Sequence, residues 1–515
     1  MSIRFSLGWT MNRTFNKLLV LGAVCLSALA IPLCFTGPAV AMGAIGRQLG
    51  GGPLAMNWIS NAFMLTFGSS LMLAGTLADR FGRKRIFLLG TGGFALFSLA
   101  LAHAPGIVAF NCLRGGQGFA GALALASSMA ALAQEFDGPG RARAFSLVGT
   151  TFGVGLAFGP LLCGYLVEHH GWSTLFYAAG LAGLGAVLLG AARMHESRDP
   201  QARHLDWPGL LSFTGALSLL TCGILLAPQY GWASLPTLGA LLAAAALLAS
   251  FIQIESRVAR PMLDLSLFRY PAFTGVQFLA AAPAYSFVVL LVLLPERLIG
   301  IEGLRELEAG WAMLSLSAPL LVLPFIAASV SHRIAPARLA AGGLLATAAG
   351  LLWLSGCAPG QPGAMRWPML LIGAGISLPW GLMDGMAVSV VPKERAGMAA
   401  GIFSTTRVAG EGVALAIVAA LLATLTQHSL STQGGLAPEQ AMQAAQHLAV
   451  GKLDSALQLL GAGREQAQPL VQAYGAAFRS LLHILAAITV ATAGVIWYFM
   501  GRGAAASAAV ADPAA

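Results

Sequence analysis

Few side chains in this sequence can hold or move a proton away from water. Of 20 acidic residues, only Asp384 and Glu411 lie well inside long apolar runs, while Asp79 and Glu168 sit near the ends of others. Such a carboxylate can be charged in one state and neutral in another, because burial shifts its proton affinity toward physiological pH. Arg407 precedes Glu411 by four residues, so the two share a helix face and form a pair for which substrate or proton can compete. Asp384 has no charged partner within its own run. Arg114 is a further charge inside an apolar run, and an arginine there needs a partner or a role. Gln117 and the aromatic residues Trp58, Phe63, Tyr285 and Trp380 are candidates to line a cavity between such groups. No metal or disulfide is expected: the cysteines fall mostly in apolar runs and lack ligand spacing. His169 and His170, with only Glu168 beside them, are too sparse for a membrane-embedded enzyme. No catalytic activity is expected.

Long helices must position these groups. The chain has 515 residues, 57% apolar and 10% charged, where a soluble domain carries roughly 25% charge. Mean hydropathy is +0.76, and many apolar runs reach the roughly 20 residues that cross a bilayer. These numbers exclude a soluble enzyme and imply a polytopic membrane protein. Windows of about 19 residues give roughly fourteen spans. Spans 1 to 6 centre near Ala28, Phe67, Phe94, Ala122, Gly155 and Leu184; spans 7 and 8 near Leu219 and Ala244. Spans 9 to 14 centre near Ala284, Leu320, Thr347, Ser377, Ala414 and Ile488. Runs this long satisfy their backbone in lipid only as helices. The apolar run after Lys17 is too long for a cleaved signal peptide and reads as span 1.

The net charge of +9 reads as topology rather than as nucleic-acid binding. With a cytoplasmic N-terminus and alternating loops, 20 of the 29 Lys and Arg fall inside and seven outside, Arg297 among the latter. The positive-inside rule therefore puts both termini in the cytoplasm. Residues 426–473, rich in Gln and Ala, are expected to form an external loop of short amphipathic helices, available to an outer adaptor protein.

Three motifs add a resemblance. Gly75-Thr76-Leu77-Ala78-Asp79-Arg80-Phe81-Gly82-Arg83-Lys84-Arg85 offers a glycine for close helix approach, a turn glycine and a basic run that pins the loop inside. It resembles the signature loop of the major facilitator superfamily. Arg114-Gly115-Gly116-Gln117-Gly118 looks like that family's second motif, whose arginine is implicated in proton coupling. Gly155, Gly159, Pro160 and Gly164 stand as in the motif that marks antiporters there, with Cys163 where a glycine is usual; Pro160 bends the helix. Segments around Gly46, Arg260–Phe268 and Val391–Arg407 are similar to the fourteen-span drug:proton antiporter type, so the resemblance covers nearly the whole chain. Three departures stand out. Cys34, Phe35 and Thr36 occupy the place of an acidic residue in span 1, the aromatic run after span 5 is reduced to Gly171–Phe176, and Ser331-His332-Arg333 is a poor copy of the signature loop.

The expected fold is an all-α polytopic membrane protein: two six-helix bundles, 1–194 and 261–502, flanking a linker with two inserted spans, 195–260, and a disordered cytoplasmic tail, 503–515. The resemblance implies proton-coupled export of amphipathic small organic compounds by alternating access. Coupling would use Asp384, Glu411, Arg407 and Arg114. Export of one specific metabolite or siderophore, or facilitated import, is the alternative. No cofactor beyond the proton gradient, no nucleic acid and a monomer in the cell membrane are expected.

Overall fold

A computed structural model describes residues 2–136, 138–198, 206–258, 263, 265–391, 396–432, 436–463, 465 and 467–511. The side chains of some helix-end residues, including 2–14, 138–143 and 501–511, are not described. Among the described residues, fourteen helices are long and apolar enough to cross a membrane. Spans 1 to 7 are Phe15–Leu49, Pro53–Phe81, Arg83–Leu101, Ile107–Glu135, Leu147–His170, Ser173–Arg193 and Trp207–Tyr230. Spans 8 to 14 are Leu235–Glu255, Pro271–Gly300, Glu306–Val330, Pro336–Ser355, Pro362–Ala387, Gly401–Thr432 and Ala467–Met500. The face that carries the Arg80–Arg85 loop is called the inner face here. The tail expected at 503–515 continues the last helix, which runs to Ala511, and residues 512–515 lie outside the described set.

Local chemistry sets where these helices begin and bend. Pro53 opens span 2 just after Gly50 and Gly51, whose φ of 70° and 108° suit residues without a Cβ. Asp206 and Ser234 cap spans 7 and 8 by accepting from the Gly209 and Thr237 amides. Span 9 contains a π-turn over Ala284–Val288, and span 10 is interrupted at Ala318–Leu321, a tighter turn that contains Pro319 and is followed by Pro324 at the start of the next helical segment.

Spans 1 to 6 pack into one bundle and spans 9 to 14 into the other. The inserted pair attaches unequally. Span 7 wedges between spans 2 and 13, while span 8 packs chiefly on span 7 and has 17% of its apolar window buried. Leu235, Leu242 and Leu248 of span 8 therefore face outward, as suits a helix surrounded by lipid.

The external loop is shorter than expected, because span 13 continues to Thr432 and span 14 begins at Ala467. Between them lie two short helices, Pro438–Ala449 and Leu453–Leu459. The first buries Ala441, Ala444, Ala445 and Leu448 in the main core. This alanine-rich face supplies too little hydropathy for a window average to mark it as core, yet its small side chains allow close seating on the bundle.

Candidate functional site

The two bundles meet along their outer halves. A Cβ on Gly310 in span 10 would stand 2.8 Å from Leu161 Cα in span 5, and one on Gly164 would overlap the Glu306 carbonyl. Ser317 Oγ donates to the Ala157 carbonyl at 2.7 Å. Nearer the middle, a Cβ on Gly68 of span 2 would lie 2.8 Å from Ala409 Cα of span 13. Two ion pairs close the rim: Arg305 to Glu168 at 3.2 Å and Arg47 to Glu306 at 3.5 Å. Arg305, outside the spans, has its pKa raised chiefly by its hydrogen bond to Glu308. These hydrogen bonds and ion pairs between the bundles lie from the middle of the helices to their outer ends.

The inner halves are parted. Cβ atoms on Gly75, Gly149, Gly153, Gly385 and Gly401 would meet nothing within 4 Å. Gly75 thus makes no close helix approach in this conformation, contrary to the sequence expectation. The antiporter-motif glycines split between two jobs. Gly155 and Gly159 seat span 5 on Leu29, Pro32 and Thr36 of span 1, whereas Gly164 seats it on the opposite bundle.

Asp384 faces the parted side, with its side chain 65% exposed, and Arg407 Nη1 reaches its Oδ1 at 3.3 Å. The Arg407 guanidinium also lies 5.6 Å from the Phe403 ring centre. The expected Arg407–Glu411 pair is therefore replaced by a pair between spans 12 and 13. Four-residue spacing brought the two onto one face, but a carboxylate on the adjoining helix was nearer the guanidinium's reach. Glu411 is half-buried and, among the described residues, makes no hydrogen bond or ion pair.

Arg114 is fully buried in the first bundle. Its Nε donates to the Ile59 carbonyl at 2.8 Å, its Nη1 donates to Gln117 Oε1, and its guanidinium lies 4.5 Å from the Phe63 ring centre. Gln117 Nε2 in turn donates to Ser98 Oγ at 2.7 Å and to Cys34 Sγ at 3.1 Å. Cys34, at the place of the missing acid, thus accepts a weak bond from an amide instead of balancing the arginine. Among the described residues, Arg114 Nη2 has no hydrogen-bond partner. Phe63 and Gln117 are sealed inside this network rather than lining a cavity. Trp58 likewise packs beside Leu220, Leu241 and Val413 at the seam with the inserted spans. Tyr285 bonds to Thr492 of span 14, and Trp380 meets Phe287 edge-on at 6.1 Å; both remain half-buried.

The signature loop is held within its own bundle. Gly82 has φ of 112°, and Arg83 Nη2 pairs back to Asp79 Oδ1 at 2.9 Å. Glu196, beyond span 6, accepts from the Lys84 amide at 3.2 Å and lies 3.6 Å from Arg85 Nε. Lys84 Nζ donates to the Ala191 carbonyl at 2.8 Å, whereas Arg80 lies over the Phe81 ring. Sequence reasoning missed Glu196, whose only signal was an acid following a span on the basic side. It also missed Glu296 and misplaced Arg297, expected in an external loop. Arg297 is 2% exposed within span 9, pairs with Glu302 at 3.1 Å and stacks on Phe478 at 4.8 Å. Of the segments similar to the fourteen-span type, residues 260–262, 264 and 392–395 lie outside the described set.

Comparison with known proteins agrees with this architecture. A family model described as Major Facilitator Superfamily matches residues 19–415. The chain is 31% identical to the tetracenomycin C resistance and export protein of Streptomyces glaucescens, covering 78% of this chain and 75% of that one. It is 31% identical to the multidrug resistance protein Stp of Mycobacterium tuberculosis, covering 80% and 77%. Identity to the puromycin resistance protein Pur8 of Streptomyces alboniger is 33%, covering 73% and 76%. Among solved structures, a POT family transporter superposes with a TM-score of 0.63 at 12% identity, covering 94% and 96%. A bacterial homolog of the lysosomal transporter Spinster gives 0.59 at 14% identity, covering 95% and 96%. At such identities these two show the fold alone.

Proposed function

The chain belongs to the major facilitator superfamily, and from that premise we propose that it exports amphipathic small organic compounds by alternating access, in exchange for protons moving inward. One observation carries this reading: relatives 31–33% identical, matched over 75–77% of their length, bear names of drug resistance and export. Glycine packing between spans 5 and 10, with Pro160 in the seam, supports export because it seals the outer side while cargo loads from within.

Asp384 and Arg407 are the groups for which cargo and proton compete. An Asp384 carboxylate holds Arg407; a protonated Asp384 releases it to Glu411, one helical turn further along span 13. Arg114 sets a fixed positive charge that disfavours a second cation nearby. We assign both termini and the Arg80–Arg85 loop to the cytoplasm of a cell-membrane protein, on the basic asymmetry of the sequence. The protein works as a monomer in this reading, and an adaptor would have only the polar face of the outer helices to bind. The test is resistance of an expressing strain across a compound panel, with and without a proton uncoupler. Expected is lowered susceptibility to several amphipathic compounds that the uncoupler abolishes; unchanged susceptibility throughout would sink the reading.

A further inference from the structure

One buried carboxylate takes no part in this scheme. Glu296, at the outer end of span 9, is 7% exposed and makes no hydrogen bond or ion pair among the described residues. Its neighbour Arg297 turns away to Glu302. Glu296 lines a cleft where three parts of the molecule converge: Met42 and Gly43 of span 1, Met56 of span 2, and the Val450–Lys452 turn between the outer helices. That turn is what shuts the cleft. Gly451, with φ of 71°, lets the turn lie against Gly300, whose Cβ would overlap the Gly451 carbonyl. Lys452 Nζ reaches across to the Gly51 carbonyl at 3.0 Å.

The charged and titratable groups around the cleft leave Glu296 without a counter-ion. Spans 1 and 2 present apolar atoms there, and Arg47, further out on span 1, is engaged with Glu306. On span 14, Tyr474 is buried within electrostatic reach and carries no positive charge. On span 13, His428 is exposed to the outside. The outer helices contribute Lys452 and, behind it, His447; burial pushes the pKa of both down. Neither forms an ion pair with Glu296.

An ionised carboxylate in this closed cleft would be stripped of most of its water and, among the described residues, has no hydrogen-bond donor turned toward it, because Lys452 is committed to Gly51; that is a far costlier state than the neutral acid. When the outer helices lift, water returns and the carboxylate becomes the better form. We propose that Glu296 is a proton-binding site of the outer gate: the bundles and the outer helices close over the neutral acid, so a proton from the outer water bonds to the carboxylate as the gate shuts. The step adds one proton to one carboxylate and consumes nothing else. It deepens the proton-exchange reading by giving the outer half of the cycle its own titrating group.

The test reads gate opening without cargo. Hydrogen–deuterium exchange of the full chain in lipid nanodiscs is followed at the amides of residues 438–460 between about pH 5.5 and 8.5, corrected for intrinsic exchange. Opening tied to one proton rises by up to about tenfold per pH unit once the acid ionises. The expected result is that protection falls as pH rises in the wild-type chain and stays high and flat in Glu296→Gln. Protonation of His447 would loosen the same helices in acid, the opposite sign, and so cannot imitate this result. Wild-type protection that is independent of pH, or that falls in acid, would overturn the proposal, as would an unchanged slope in Glu296→Gln. The wild-type series decides the sign even if the variant folds poorly. Because transport is not measured, failure here is distinguishable from failure of the efflux reading.

Discussion

Asp384 and Arg407 stand on different helices 23 residues apart, and their ion pair opens to the parted inner side. An exposed pair of this kind contributes little to stability, so removing its titration should leave a folded protein. Asp384→Asn is expected to reduce uncoupler-sensitive efflux at least tenfold, with membrane abundance unchanged on a blot. Adding Arg407→Met removes the stranded cation and should not restore transport; recovery in the double variant would mean that the pair is only a brace. The Arg114 network behaves differently because it is sealed. Gln117→Leu takes the acceptor from Arg114 Nη1 and the donor from Cys34. Leaving a buried donor unmatched costs about 1–3 kcal/mol, and more when the donor is charged, so the variant's thermal midpoint in detergent should fall by several degrees. A midpoint equal to wild type would show that water fills the gap at no cost.

At the level of the helix, small residues decide which faces can touch. Gly164→Val and Gly310→Val place branched carbons against Glu306 and Leu161. Both should keep the outer gate from closing, seen as faster labelling of outer-side cysteines by an impermeant thiol reagent and as lost efflux. Gly159→Val strikes Thr36 within the first bundle and should impair folding as well. The spans themselves were legible in the sequence because roughly 20 apolar residues in a row have one affordable structure in lipid. The Gly82 turn and the span 5 packing motif were legible for a related reason: few residue types satisfy those backbones. Pairings between helices were not. Nothing local distinguishes Asp384 from Glu411 as the partner of Arg407, and Glu296 was hidden because Pro295-Glu296-Arg297 closes an apolar run much as a loop would. Burial of those charges follows from tertiary packing over Tyr474 and Phe478, some 180 residues downstream.

For the whole molecule, orientation rests on where cations accumulate. A periplasm-dependent reporter fused to Ala515 should be inactive, and strong activity would invert every inside and outside used above. The outer helices bear on a further property of the assembly. They belong to the second bundle by sequence, yet Gln446 bonds to Pro228 of the inserted pair, Lys452 to Gly51 of the first bundle, and Gly451 lies on Gly300. Three elements are thereby fastened by one segment tethered at both ends, so the outer mouth cannot open one contact at a time. Lifting it is a single cooperative event of the kind that takes microseconds to milliseconds and often sets turnover. The clock of the transport cycle, on this account, sits in two short outer helices that lie far from the Asp384–Arg407 pair in the fold.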